Sequence, residues 1–296
     1  MGIRMKRLEK NVAAVVLGMM QDGGLPHIGC RCHRCAAAYL DPNLTRLTTC
    51  LGIIDNRHTP AKVWLIDASP DIRFQLEILG DILGTDPYKP DRLRQPDGIF
   101  LTHSHMGHTA GLVQLGPEGM NVRNLPVYAS EKLGTLIQET KLWQPLVKNL
   151  NLITLAAGES LELAPGLRIT PVPVLHRDEV DAGTFAYLCS GPTQSLLYLP
   201  DIDSWKSFNE TGLAMDRVDV ALVDASFFDR EEVSGRTTVA HPLVTDTMRF
   251  WAGSSSQFIL THINHTNPIL DEGSTARLAV ESTGFLIAYT GQIIPL

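Results

Sequence analysis

The sequence predicts an α/β fold in which two β-sheets stack face to face and helices cover their outer surfaces. Three observations point there. Short runs rich in Val, Ile, Leu, Phe and Tyr recur along the 296 residues, each of a length suited to a buried strand. Segments with helical spacing are interleaved with them throughout, which favours layered packing over separate all-β and all-α units. Several of the strand-like runs end in Asp or His, so polar groups should gather along one edge.

In chain order, the strand-like runs are "AAVVLGM", "KVWLIDA", "GIFLTH", "LPVYA", "LRITPVPV", "TFAYLC", "SLLYLPD", "VALVDA", "QFILTHI" and "FLIAYTGQIIPL". Helical spacing marks "SPDIRFQLEILGDIL", "TAGLVQLG", "ASEKLGTLIQETKLWQPLV", "LVTDTMRFWAG" and "DEGSTARLAVES", and the last two open on residues able to cap a helix. The first run needs separate treatment. Basic residues before "VAAVVLGMM" imitate a signal peptide, and "IGC" imitates a lipoprotein cleavage site. No A-x-A site follows, however, and His27 stands where a lipobox usually carries Leu, so the segment reads as a first strand, Ala13 to Met19, ending in the turn "QDGGLP".

Composition narrows the class. A hydrophobic content of 44% fills a sizeable core, and no repeat or Gly/Ser linker divides the chain, so a single domain over residues 1–296 is expected, with a Cys-rich segment at about 22–40. A net charge of −7 argues against an extended nucleic-acid surface, which requires many Lys and Arg contacts. No apolar run approaches the roughly 20 residues that cross a bilayer. The expected partner is a small-molecule substrate, not a membrane, and assembly as a homodimer stays open. Five cysteines, three of them in "CRCHRC", do not form a disulfide framework, and a reducing cytoplasm with metal-bound thiolates fits them better.

The chemistry concentrates in "FLTHSHMGHTAGL". His103, His105 and His108 stand at i, i+2 and i+5 directly behind an apolar run. If the chain leaves a strand at Thr102 and enters a helix near His108, two imidazoles project from the bend and the third from the first helical turn, and all three can converge on one cation. Neutral imidazole is a common ligand for Zn and also suits Fe and Mn.

These residues resemble the H-x-H-x-D-H signature of the metallo-β-lactamase superfamily, placed as that family places it, after a strand and before a helix. The resemblance implies the four-layer αββα sandwich of the metallo-β-lactamase fold. It also implies a ligand set: His103, His105, His176 in "PVLH" and Asp201 in "LLYLPD" for one metal, and His108, His262 in "ILTHINH" and the bridging Asp201 for a second. Gly107 occupies the position of the motif's Asp and can donate no carboxylate, which weakens the second site or leaves it to other ligands. Asp67 in "VWLIDASPD" matches an aspartate that orients a ligating histidine from outside the metal shell, or else caps the turn before "SPDIR". Asp224 in "VALVDAS" has no clear assignment.

Cys30, Cys32 and Cys35 form C-x-C-x-x-C, and three thiolates at this spacing can share one tetrahedral zinc with a fourth ligand from elsewhere. His265, three residues past His262, is the leading candidate, with Cys50 and then His33 as competitors. The arrangement is similar to a subgroup of the superfamily, the cyclic phosphodiesterases of phosphonate breakdown, in which a structural zinc is held by this cysteine motif and a late histidine. Cys189, inside "TFAYLCS", reads as a core residue.

Two branches of the superfamily share the features of this chain. "QDGGLPHIGCRC", "DASPDIRFQL" and "THINHTNPILDEGS" resemble the pyrroloquinoline-quinone synthesis protein B family over most of the length, whereas "HSHMGHTAGL" and His241 in "TTVAHPLVTDTM" look like the phosphodiesterases. The second likeness implies hydrolysis by a metal-bound hydroxide, with phosphodiesters or cyclic phosphates leading over amides and thioesters, one or two Zn²⁺, Mn²⁺ or Fe²⁺ in the active site, and His241 protonating the leaving group. On position alone, His241 is equally a helix-capping or surface residue. The first likeness implies iron-dependent oxygenase chemistry on a quinone precursor. A metal-bound binding module without catalysis is the third class and the least favoured.

Overall fold

The computed structural model describes residues 9–235 and 239–296. Among these, the chain forms two seven-stranded sheets and a separate two-stranded ribbon. In spatial order the first sheet runs Ile293–Pro295, Val12–Gly18, Cys50–Asp55, Lys62–Ile66, Gly98–Phe100, Leu125–Ala129, Leu150–Thr154. The second runs Leu286–Ile287, Gln257–Thr261, Val220–Asp224, Ser195–Leu199, Thr184–Ser190, Leu167–Val174, Leu161–Ala164.

The central strands read as continuous apolar runs because both of their faces are covered. Along Val12–Gly18, Val12, Ala14 and Val16 join the core shared with Leu197, Tyr198 and Leu222 of the second sheet. Their neighbours Ala13, Val15 and Leu17 join Ile72, Leu76, Leu79, Leu133 and Ile137 of the outer helices. The period-two alternation of side chains thus feeds two separate cores from one strand. This is the expected sandwich, and the apolar run near the N-terminus is an interior strand of it. The basic residues Arg4, Lys6 and Arg7 that precede the run lie outside the described residues.

Helix limits follow local chemistry. Helix Glu131–Glu139 begins at Ser130, whose hydroxyl accepts from Leu133 N at 3.1 Å, and it buries Leu133 and Ile137, four apart on one face. The sequence treats residues 129–147 as one helical segment, but the chain divides there. Thr140 is extended, and Pro145 enters in the first turn of a new helix, Gln144–Val147, where no backbone N–H is needed. Similarly, "SPDIRFQLEILGDIL" splits into Ile72–Ile78 and Gly80–Leu83, and "TAGLVQLG" is mostly a 3₁₀ segment, Ala110–Leu115, after the short helix Met106–Thr109. Of the two expected caps, Ser274 accepts from Arg277 N, but helix Val244–Phe250 starts at Leu243 with no side-chain cap. The strand Cys50–Asp55 was not expected; Gly52 interrupts its apolar pattern, yet it pairs on both sides. "FLIAYTGQIIPL" is two short strands rather than one. Leu286–Ile287 pairs in the second sheet and Ile293–Pro295 in the first, with the chain crossing between at Gly291, whose φ is 87°.

Parallel pairing decides where the polar strand ends fall. Lys62–Ile66, Gly98–Phe100 and Leu125–Ala129 are mutually parallel, as are Ser195–Leu199, Val220–Asp224 and Gln257–Thr261. Leu167–Val174 and Ser195–Leu199 each pair antiparallel with Thr184–Ser190, so they share a direction. Carboxyl ends of strands from both sheets therefore meet at one rim, the position where open α/β sheets bind ligands. Beneath that rim Phe100 stacks on Tyr128, with ring centroids 4.3 Å apart, and meets Tyr187 edge-on. Tyr187 Oη donates to the Leu101 carbonyl at 2.7 Å, fixing the backbone two residues before His103.

Replacing Tyr187 by Phe removes a buried hydrogen bond while keeping the ring. We expect a loss of about 1–2 kcal/mol in stability, measured by urea unfolding, with no change in secondary structure by circular dichroism.

Candidate metal centre

Every expected ligand reaches the rim. His103 follows Gly98–Phe100, His176 follows Leu167–Val174, Asp201 follows Ser195–Leu199, and His262 follows Gln257–Thr261. Backbone hydrogen bonds lock these ends together: Phe185 N donates to Thr102 O across the two sheets, and within the second sheet Asp203 N donates to Leu175 O and Ala225 N to Thr261 O, each at 2.9 Å. Two non-glycine residues there, Asp67 and His262, hold left-handed backbone with φ of 72° and 55°. Such a conformation is sparsely populated, and it persists where surrounding contacts over-determine it.

Asp201 is the hub. It is 2% exposed, and its Oδ2 lies 3.1 Å from His108 Nε2, 3.3 Å from His262 Nε2 and 3.9 Å from His103 Nε2. Its Oδ1 lies 3.6 Å from His176 Nε2 and 3.8 Å from His241 Nδ1. His103, His105 and His176 form one group on the first side of this carboxylate, where His103 Nε2 approaches His105 Nδ1 to 3.0 Å. His108 and His262 form another, together with a residue that the sequence reading missed: Asp22 Oδ1 is 3.5 Å from His108 Nε2 and 3.8 Å from His262 Nε2.

The outer contacts of the imidazoles fix which nitrogen faces inward. Asp67 is fully buried, accepts from Thr102 N at 2.8 Å, and lies 2.7 Å from His108 Nδ1. His108 Nδ1–H donates to it, leaving the Nε2 lone pair for the centre. Asp67 thus orients the histidine, and it caps no helix, since the cap of Ile72–Ile78 is Asp71. Ser226 Oγ donates to Asp224 Oδ1 at 2.8 Å and can accept from His262 Nδ1 at 3.0 Å, which turns His262 Nε2 inward too. Thr102 Oγ1, 2.9 Å from His103 Nδ1, does the same for His103. His105 presents the opposite edge, because Glu179 Oε2 sits 3.0 Å from its Nε2.

Burial makes this arrangement costly without a cation. His108 Nε2, His176 Nε2, His262 Nε2, Asp201 Oδ2 and Asp22 Oδ1 are buried polar atoms with no hydrogen-bond partner, grouped around the Asp201 carboxylate and the His108–His262 pair. Unpartnered buried polar atoms are rare and call for a specific cause. The donor set of imidazole nitrogens and carboxylate oxygens fits Zn, Mn or Fe. Burial pushes His103 well below its usual pKa, helped by the neighbouring His108. For His108 burial acts in the same direction, but the Asp67 and Asp201 carboxylates outweigh it and hold the pKa well above normal. Burial would raise Asp201, yet His262, His103 and His108 keep it well below the usual carboxylate range.

His241 lies beside the hub, paired with the aspartate that the sequence left unassigned. Asp224 Oδ2 is 2.7 Å from His241 Nδ1 and fully buried. Burial lowers the imidazole pKa, but Asp224, Asp201 and Asp22 outweigh it and push it up to about 9. The signal for Asp224 was present: like Asp201, it is an Asp ending an apolar strand. A cavity of about 400 Å³ opens on the outer side of His241, lined by Ser204, Trp205, Arg230, Asp246 and Phe250 among others. Of the "TTVAHPLVTDTM" segment, Thr237 and Thr238 lie outside the described residues.

The cysteines form a second cluster. Cys30, Cys32 and Cys35 Sγ lie 3.7, 3.7 and 3.5 Å from His265 Nδ1. Cys50 is elsewhere, buried with its thiol donating to Asp67 O, and His33 is an exposed residue beside Asp271. Arg34 ties the segment down, donating to Asp271 with Nε at 2.7 Å and to the Thr266 carbonyl with Nη1 at 2.9 Å. Cys189 is buried in the core of the second sheet.

A sequence profile for the beta-lactamase superfamily domain matches residues 63–263. A coenzyme PQQ synthesis protein B from Nitrosococcus oceani is 29% identical, the alignment covering 95% of this chain and 99% of that protein. Among solved structures, Zn²⁺-bound PqqB from Methylobacterium extorquens superposes with a TM-score of 0.81 at 22% identity, covering 96% of this chain and 100% of that one. A diphosphatase from the PhnP family superposes with a TM-score of 0.68, also at 22% identity, covering 97% and 98%. Both likenesses concern the fold.

Asp67→Asn keeps the shape but removes the charge that holds His108 in its inward tautomer. We expect metal affinity at the histidine cluster to fall about 10- to 100-fold, read by chelator competition, while the thiol cluster retains its ion.

Proposed function

The chain belongs to the beta-lactamase superfamily, and from that membership we propose that it is a metal-dependent hydrolase acting on a phosphodiester or cyclic phosphate. The observation that carries the reading is the buried Asp201 carboxylate, unpartnered at Oδ2 and flanked by two histidine groups. In this reading His103, His105, His176 and Asp201 would hold one ion, and His108 and His262, with Asp201 beside them, would hold a second. Cys30, Cys32, Cys35 and His265 hold a structural zinc, with one or two Zn²⁺, Mn²⁺ or Fe²⁺ at the histidines. Metal at such a site lowers the pKa of bound water toward neutrality and neutralises charge developing on substrate oxygens.

The remaining steps belong to side chains of this chain. Asp224 accepts from His241 Nδ1 and so favours the imidazolium, whose Nε2 proton can pass to a departing alkoxide. Arg230, in the cavity beside His241, offers a planar donor set suited to phosphate oxygens, and Trp205 and Phe250 offer apolar surface to an organic leaving group. The reading includes a small-molecule substrate and a reducing, cytoplasmic setting. Five free cysteines support that setting, and among the described residues no helix is long and apolar enough to cross a membrane.

The full-length similarity to coenzyme PQQ synthesis protein B supports a second reading, an iron-dependent oxygenase acting on a quinone precursor. The two separate experimentally. For the hydrolase, Zn²⁺- or Mn²⁺-loaded protein cleaves bis-p-nitrophenyl phosphate and a ribose cyclic phosphate. Inactivity on both, with oxygen uptake by Fe²⁺-loaded protein in the presence of an aromatic precursor, would establish the oxygenase instead.

His241→Ala tests the proton donor. With an alkoxide leaving group kcat should fall about 10²- to 10⁴-fold, whereas p-nitrophenolate needs little protonation and its release should be far less affected. Equal losses on both substrates would remove His241 from that role.

A further inference from the structure

We propose that Asp22 is a metal ligand that replaces, from a separate loop, the carboxylate that Gly107 cannot supply. The proposal rests on the reading that the histidine cluster binds metal, and it bears on how the second ion is held. His108 and His262 alone offer two nitrogens beside the shared Asp201. Asp22 Oδ1 closes that space, and the ligand atoms of Asp22, His108 and His262 all lie within 4.8 Å of one another. All three, Asp22 Oδ1, His108 Nε2 and His262 Nε2, are buried and without a hydrogen-bond partner. At 3.5 and 3.8 Å the two imidazole nitrogens stand too far from Asp22 Oδ1 for a good hydrogen bond, whereas one cation between them satisfies all three.

The glycine explains the exchange. A Cβ at position 107 would fall 2.0 Å from Asp22 Oδ1 and 2.7 Å from Asp22 Cα. A side chain at 107 and the aspartate at 22 therefore compete for one volume. Only glycine lets the turn approach this closely. The absence of a carboxylate from the histidine motif and the presence of one on the facing turn are then a single feature.

The turn is held where the ligand needs it. Ile263 N donates to Met19 O at 2.9 Å and Gln21 N to Ile263 O at 3.0 Å, fastening the chain just before Asp22 to the strand end that carries His262. Gly24 N donates to Gln21 O at 2.8 Å and closes the turn. Downstream, Leu25 and Arg46 exchange backbone hydrogen bonds at 3.0 and 2.8 Å, and Cys30 joins the thiol cluster.

Metal content of Zn²⁺-loaded, desalted protein tests the assignment, with Mn²⁺ titration followed by electron paramagnetic resonance as a second readout. Wild-type protein should hold about three ions per chain, one at the thiols and two at the histidines. Asp22→Ala should hold about two, with the spin coupling of the Mn²⁺ pair lost, or should bind the last ion more weakly by on the order of tenfold or more. Gly107→Ala, whose Cβ displaces Asp22, should lose the same ion although the carboxylate itself is retained. If Asp22→Ala also loses the thiol-bound ion, the isosteric Asp22→Asn decides in its stead. Two histidine-bound ions of unchanged affinity in the deciding variant would overturn the proposal, as would a wild type with one. A wild type with no ion at the histidines would instead overturn the metal reading on which the proposal rests.

Discussion

A carboxylate buried among imidazoles governs this structure. Removing a carboxylate from water costs several kcal/mol even after relaxation, and the fold does so repeatedly at one rim, with Asp67, Asp201 and Asp224 all nearly inaccessible. Each is compensated differently. Asp67 accepts from a backbone N–H, a hydroxyl and an imidazole, and Asp224 accepts from Ser226 and His241. Asp201 alone keeps an unpartnered oxygen, and around it stand nitrogens that are themselves unpartnered. Satisfied carboxylates in the outer ring and an unsatisfied one at the centre describe a site whose last partner is a cation.

That division sets the chemistry on each side. The Asp67–His108 and Asp224–His241 contacts are both 2.7 Å, yet they serve different ends. His108 turns its second nitrogen toward Asp201 and Asp22, where a bound cation would take the place of its proton. His241 borders the cavity that Arg230 also lines, so in the hydrolase reading its pairing would prepare a proton. In that reading the same carboxylate–imidazole unit yields a ligand or an acid according to what lies beyond the ring.

Much of this was legible in the sequence because it is local. The spacing of His103, His105 and His108 behind an apolar run is a strand end turning into a helix, and the strand, bend and short helix Met106–Thr109 follow from it. The cysteine spacing is local in the same way. Asp201 and His262 could be matched because each terminates its own apolar run. Asp22 could not, because "QDGG" has the composition of an ordinary turn, and nothing in those four residues announces that they face His108. Asp224 lacked a partner in sequence, since its histidine arrives from a loop beyond the next turn. Helix limits at Leu79 and Thr140 depended on packing and on Pro145, which periodicity does not register. The strand Cys50–Asp55 is made by its two neighbours more than by its own pattern.

Gly107 is the position where local and distant information meet. Read alone, a glycine in place of an acidic ligand is a loss of function at that spot. Read with the fold, it is the condition for another chain segment to come within contact distance of His108. Moving a ligand from a helix turn to a loop carries an entropic cost, because a loop samples more conformations than a packed motif. The segment 19–30 offsets that cost by being fastened at both ends. It enters from an interior strand and pairs with Ile263, and it leaves through the Leu25–Arg46 pairing into the thiol cluster. His262 and His265 lie at the same strand end, so the anchor of the loop and the ligand it complements are set by one backbone. A carboxylate held this way is fixed by backbone pairing on both sides, and the glycine that removes one ligand from the histidine motif is what gives the other access.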